Sequence, residues 1–263
     1  MHRLEYDMSK IRVIARLDIK DNYIVKGIQL EGLRKIGNPN EYAKNYYEQG
    51  IDEILYMDIV ASLYNRNNLG DIVFHTTDDV FIPITVGGGL RSVEDVRNIL
   101  QLGADKVAIN TAAIKRPELI KEIAETFGSQ CMVLSVEAKK VAENKWEVYY
   151  DNGREHSGFD VIEWVKQGVE LGAGEILLTS VDKEGMQKGV DEALIEAVCA
   201  AVPVPVIASG GVGSYQDVEK AASKGASAVA VASILHYKKT DVQTLKKNLI
   251  DCGQEVRFEN SSC

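Results

Sequence analysis

The chain has 263 residues, with 39 acidic against 30 basic side chains and a formal net charge of −9. That balance argues against sequence-independent nucleic-acid binding, which rests on Lys and Arg neutralising phosphates. Small anionic ligands stay open, because backbone amides hold phosphate in acidic proteins too. At 45% hydrophobic and 26% charged residues, the composition is that of a folded globular protein rather than a disordered chain.

In chain order, the opening MHRLEYDMSK carries Arg3, Glu5, Asp7 and Lys10 and no apolar stretch, unlike a signal peptide. No run approaches the ~18 apolar residues of a membrane span, so a cytoplasmic protein is expected. Residues 13–18 form the first short apolar run and read as a buried parallel strand. The stretch 21–37, with Gly27, Gly32 and Gly37, is long enough to be a lid. A helix is predicted over 39–49, with Asn38 as cap and Pro39 at its first position. Strands follow at 54–58, 84–86, 107–110 and 132–137. Helices with an apolar stripe lie at 93–102, behind Ser92, and at 117–127. Residues 146–150 alternate and lead into Asn152-Gly153, which predicts a β-ribbon inserted after the fifth strand. Further helices are predicted at 160–171, 191–200 and 215–224, and strands at 176–179, 206–209 and 228–232. Gly50, Gly103, Gly172 and Gly225 each sit between a helix and a strand, as a helix-ending glycine does. The final EVRFENSSC reads as loosely ordered. Cys131, Cys199, Cys252 and Cys263 form no CxxC pair and the four histidines are scattered, so neither a zinc site nor a disulfide framework is suggested.

Two segments repeat. VGGGLRSVEDVRNILQLGADKVAINTA, from Val86, matches SGGVGSYQDVEKAASKGASAVAVASI, from Ser209: Gly88 with Gly210, Asp95 with Asp217, Gly103 with Gly225. The same offset places GIDEIL beside GAGEIL. The period is too long for a solenoid and fits two homologous halves, about 11–128 and 129–250, with a tail at 253–263. Eight strands alternating with helices in two equal halves predict a single (β/α)₈ barrel over 1–263. A doubly wound sheet would leave the repeat unexplained.

Active sites of such barrels lie on the loops after the strands. The third and fourth predicted strands end in Gly87-Gly88-Gly89 and Asn110-Thr111; the seventh and eighth end in Ser209-Gly210-Gly211 and Ala232-Ser233. Glycine-rich turns let amides approach an anion, so two nests at matching places suggest a ligand with a phosphate at each end. The plainer reading is that these glycines only make tight turns. Asp18 ends the first strand and Glu137 the fifth, opposite each other, with Lys20 and Lys139 two residues further on. Facing carboxylates between two phosphate sites suit general acid and base work; otherwise each caps a loop or pairs with a lysine. Asp58 and Asp182 also end strands and are weaker candidates. Lys26 could reach a phosphate, steady the first loop or be solvated.

RVIARLDIKDNYIVKG, DEILYMDI, ITVGGGLRS, GADKVAINTAA, GAGEILLTSVDKEG and VIASGGVGS together resemble the cyclase subunits of imidazole glycerol phosphate synthase, in unbroken order from about residue 12 to 258. The resemblance implies a barrel of two half-barrels acting on a bisphosphorylated aminoimidazole carboxamide nucleotide. The implied reaction adds ammonia, cleaves the substrate and closes the imidazole ring, and no metal or redox cofactor is implied. Asp18 and Glu137 fall on the two catalytic carboxylates. Phosphate-binding positions fall on Gly89, Asn110 and Thr111 and on Gly185, Gly211 and Ser233, with Thr179 close by. Ammonia is implied to come from a glutaminase subunit, forming a heterodimer at the opposite face, through a gate whose positions match Arg12, Glu53, Lys106 and Glu175; Asp105 would lie at that interface. Read physically, these four charges open strands and could neutralise each other in a ring, or be solvated strand starts.

Three places, four residues in all, depart from the family pattern. Glu137 stands where aspartate is usual, Arg16 where a small residue is usual, and Glu184-Gly185-Met186 where Asp-Gly-Thr is usual. Kept gate and altered substrate side also fit a paralogue that delivers ammonia for acetamidino sugars of bacterial surface glycans. A related single-chain phosphosugar isomerase is a third reading, but an isomerase needs no ammonia path.

Overall fold

The computed structural model describes residues 10–28, 31–61 and 69–258. Its strands are β1 (Arg12–Lys20), β2 (Tyr23–Ile28), β3 (Glu31–Gly37), β4 (Glu53–Asp58), β5 (Ile84–Gly87), β6 (Lys106–Ile109), β7 (Met132–Ala142), β8 (Lys145–Tyr150), β9 (Glu155–Asp160), β10 (Glu175–Ser180), β11 (Val206–Ser209) and β12 (Ala228–Val231). Parallel pairing runs β1–β4–β5–β6–β7–β10–β11–β12 and returns to β1. The eight strands therefore close into a (β/α)₈ barrel and leave no open edge.

Alternation along the strands sets what lies inside. Val13, Ala15, Leu17 and Ile19 face the helical layer, in one continuous core with the helices' apolar stripes. Ile14 faces inward with Leu55, Met57, Ala108, Val133, Leu177, Ile207, Ala228 and Ala230. The same parity puts Arg12 below this layer on β1 and Arg16 and Asp18 above it. On β4, β6, β7 and β10 it puts Glu53, Lys106, Glu137 and Thr179 on the inward face as well. One period-two pattern thus stacks a charged floor, an apolar waist and a polar mouth along the axis.

The outer layer comprises α1 (Pro39–Glu48), α2 (Leu69–Thr76), α3 (Val93–Gln101), α4 (Thr111–Lys115), α5 (Glu118–Phe127), α6 (Val161–Glu170), α7 (Glu192–Ala201), α8 (Tyr215–Ser223), α9 (Ser233–His236) and α10 (Val242–Asp251). Asn38 caps α1 by accepting the Asn40 and Glu41 amides. Ser92 with Asp95 and Ser214 with Asp217 form capping boxes at corresponding places in the two repeats. Among the described residues, no helix is long and apolar enough to cross a membrane.

Three expectations change. Residues 21–37 form an antiparallel ribbon, β2 on β3, continuing from β1, rather than an irregular loop; residues 29–30 at its tip lie outside the described residues. The helices α2, α4, α9 and α10 were not predicted: α4 and α9 are single short turns, too brief for a periodic signal. The tail is partly tied down, since Ile11 donates to the Glu255 carbonyl at 2.8 Å and Val256 is buried beside Ile11. The Lys246 ammonium, buried against Asp52, also donates to the Arg257 carbonyl. The opening segment 1–9 and residues 259–263 lie outside the described residues.

Candidate active site

At the floor, Arg12 donates to both Glu53 and Glu175. Lys106 donates to the same two carboxylates, at 3.2 Å and 2.9 Å. The four charges close a ring of alternating sign across the barrel axis. Each carboxylate is buried, and each is matched by two cations, which removes the cost of a lone buried charge. Burial would lower the Arg12 guanidinium, but Glu175 and Glu53 more than offset it and hold it charged. Asp105, next to this ring, is exposed and accepts the Ile84 amide at 2.8 Å.

At the mouth, Asp18 is buried and held from two sides. Arg16 Nε donates to its Oδ1 at 2.8 Å and Lys26 Nζ to its Oδ2 at 2.9 Å. Burial would raise the Asp18 carboxyl; the two cations overcome that and hold it well below the usual carboxylate range. Lys26 also donates to buried Glu184. Lys26 therefore does not extend into either glycine nest: it fastens β2 to the mouth through two carboxylates.

Glu137 is different. Its Oε2 accepts the Gly153 amide at 2.7 Å, from the turn that ends β8. Burial nevertheless dominates and pushes its carboxyl up to about 7, against which the Gly153 amide, Arg16 and the Asn110 amide act only partly. The mouth thus carries one carboxylate held ionised and one poised to exchange a proton near neutrality, the divergence that acid–base pairs use.

Two glycine turns flank the carboxylates. Gly88 has φ +93°, and a Cβ there would collide with the Asp58 carbonyl. Gly211 has φ +92°, and a Cβ there would collide with the Gly189 carbonyl. Only glycine fits such close approaches at positive φ. Gly88 and Gly89 line one cavity with Asn110, Thr111 and Glu137. Gly185, Gly210 and Gly211 line another with Ala232 and Ser233. Arg16 lines both. Its Nη1 donates to Thr179 Oγ1 and Ser209 Oγ, each at 3.0 Å. Asp58 accepts the Val60 amide and lines the Gly88 cavity, and Asp182 accepts the Lys140 amide.

The chain matches the family model described as "Histidine biosynthesis protein" over residues 12–241. It is 61% identical over 210 residues to "Imidazole glycerol phosphate synthase subunit HisF" of Legionella pneumophila, covering 80% of this chain and 99% of the relative. The HisF of Streptococcus sanguinis (strain SK36) is 49% identical over 255 residues, 95% of this chain and 100% of the relative. That of Bacillus cereus (strain G9842) is 48% identical over 248 residues, 94% and 98%. The chain belongs to the HisF family.

Within this HisF-family barrel, three contributors were not legible in the sequence. Glu184 reached attention only as part of a loop, yet it shares Lys26 with Asp18. The Gly153 amide belongs to a turn predicted from Asn152-Gly153, but nothing in a sequence says which side chain such an amide meets. His236 is buried in α9, and its Nε2 lies 3.0 Å from the Arg16 carbonyl. A carbonyl only accepts, so Nε2 carries the proton and Nδ1 accepts the Tyr46 hydroxyl at 2.7 Å. His236 thereby pins the β1 backbone at Arg16. Burial, with help from Lys26, lowers its pKa to about 4 and keeps it neutral.

His236 and Glu137 bend the pH dependence of stability in opposite directions. His236 is lowered from 6.5, so the stability tied to it is complete above 6.5 and is lost as pH falls toward about 4. Glu137 is raised from 4.5, so its share is complete below 4.5 and is lost as pH rises to about 7. Between those limits the two slopes offset each other. Glu137→Gln removes one of them. In urea unfolding, the variant should lose about 2 kcal/mol more than the wild type between pH 6.5 and 4.5. Parallel pH profiles for the two proteins would contradict the assignment.

Proposed function

We propose that this chain is the ammonia-dependent cyclase of imidazole glycerol phosphate synthase in histidine biosynthesis. It joins ammonia to a bisphosphorylated aminoimidazole carboxamide nucleotide, cleaves it and closes the imidazole ring. The products are imidazole glycerol phosphate and the aminoimidazole carboxamide ribotide. The observation that carries this is the divergence of Asp18 and Glu137 at the mouth of a barrel whose floor is a ring of paired charges. A nitrogen that attacks carbon must shed a proton, and a nitrogen or oxygen that departs must take one. Glu137 is the group able to do both near neutral pH. Asp18, fixed as a carboxylate, stabilises the positive charge that builds on the attacking nitrogen. The nests at Gly88-Gly89-Asn110-Thr111 and Gly185-Gly210-Gly211-Ser233 take the two phosphates, which places the reacting centre between the carboxylates.

The ring of Arg12, Glu53, Lys106 and Glu175 is the ammonia entrance, and the face around it, with exposed Asp105, receives a glutaminase subunit in a heterodimer. The apolar waist above the ring suits neutral ammonia better than ammonium. Both subunits act in the cytoplasm. The test is growth. In a histidine auxotroph lacking its own cyclase, on ammonium-rich medium so that no glutaminase is needed, the chain should restore growth and Asp18→Asn should not. A folded, expressed wild type that fails to restore growth would overturn the proposal. A second reading, delivery of ammonia to a sugar-derived acceptor, is favoured by one observation, the Arg16 guanidinium lying between the two nests.

A further inference from the structure

The two nests are unequal. The one at Gly88 and Gly89 opens into a cavity of about 360 Å³. The one at Gly210 and Gly211 leaves about 20 Å³, room for roughly one water molecule and not for a phosphate with four oxygens. The difference traces to side chains and backbone of this chain. Arg16 fills the space from below, its guanidinium seated on the Thr179 and Ser209 hydroxyls at 3.0 Å and on Asp18 at 2.8 Å. The β2 ribbon closes it from above, with the Gly27 carbonyl packed where a Gly185 side chain would stand. His236 fixes the backbone from which Arg16 springs.

We propose that Arg16 is a gate on the second nest: the free barrel binds one phosphate, at Gly89 and Thr111, and the second nest opens only when the guanidinium leaves Thr179 and Ser209. The inference rests on reading both glycine turns as phosphate nests. The seat is built to be left. Two of its three acceptors are neutral hydroxyls, and a phosphate oxygen is a stronger acceptor of a guanidinium proton than a hydroxyl is. A ligand anchored by one phosphate in the open nest presents its other phosphate at high effective concentration beside Arg16. Drawing the guanidinium onto that phosphate also loosens its hold on Asp18. Arg16 therefore makes a ligand with two phosphates, at a fixed separation, the one that frees the ionised carboxylate. A monophosphate occupies the open nest and leaves Asp18 clamped.

Backbone amide NMR of the whole chain, titrated with inorganic phosphate, reads the two nests separately. In the wild type, the Gly89 and Thr111 amides should shift and saturate, while Gly211 and Ser233 need at least ten times more phosphate. In Arg16→Ala, both sets should respond over the same concentration range. Ser209→Ala keeps the charge and removes one seat, so it should bring the Gly211 response several-fold lower in phosphate; it serves also if Arg16→Ala does not fold. Equal responses of both nests in the wild type would overturn the gate and leave the nests standing. No response from either nest, in wild type and variants, would overturn the nests and the gate with them.

Discussion

Asp18→Asn is expected to lower ammonia-dependent turnover by on the order of 10³-fold, at the upper part of the range for a positioned acid–base or charge-stabilising group. Asparagine keeps the shape and one acceptor oxygen but loses the charge that Arg16 and Lys26 hold in place. Substrate binding through the proposed phosphate nests should change far less, so the loss falls on kcat rather than KM. Glu137→Gln should behave differently. Glutamine cannot exchange a proton, so turnover drops, and the limb of the pH–rate profile centred near 7 disappears with it. Steady-state kinetics across pH 6 to 9 on both variants separates the roles. A Glu137→Gln enzyme that keeps the limb near 7 would show that the titrating group is another residue.

Lys26→Met should be among the most destabilising single substitutions in the barrel. The ammonium is buried and is shared by Asp18 and Glu184, themselves buried. Methionine fills the volume but leaves Glu184 without this cation and Asp18 with Arg16 alone. Breaking one partner from a buried pair costs about 3–5 kcal/mol, which lowers the melting temperature by on the order of 10 °C in a chain of this size. Removing the second carboxylate as well, in Lys26→Met with Glu184→Leu, should restore most of it, because a buried charge cluster replaced by apolar groups of like volume is close to neutral. A Lys26→Met protein that melts with the wild type would mean that Glu184 and Asp18 are satisfied by other groups.

Much of this was legible before the structure, and the exceptions have a physical pattern. The eight barrel strands were readable because strands buried on both faces are short apolar runs, and the repeat around Gly88 and Gly210 fixed their number. The floor charges at Arg12, Glu53, Lys106 and Glu175 were marked out by the family resemblance; that they pair across the axis rather than being solvated strand starts needs the closed barrel. Side chains that act across the barrel were not readable. Lys26 could have been solvated, and only the fold of β2 back over the mouth turns it toward Asp18 and Glu184. His236 lies 220 residues from Arg16 in the chain and meets it only because β12 pairs with β1. Residues 21–37 carry glycines that read as loop, whereas pairing with the end of β1 makes them a ribbon. Arg16 stood out by its bulk, but which hydroxyls would seat it depends on β10 and β11 arriving beside it.

The most direct test is turnover of the bisphosphorylated nucleotide by the isolated chain with an ammonium salt at alkaline pH, where free ammonia replaces the proposed glutaminase. The proposed cyclase activity requires the wild type to form imidazole glycerol phosphate and Asp18→Asn to lose it. A folded wild type that releases no imidazole glycerol phosphate under these conditions would contradict it.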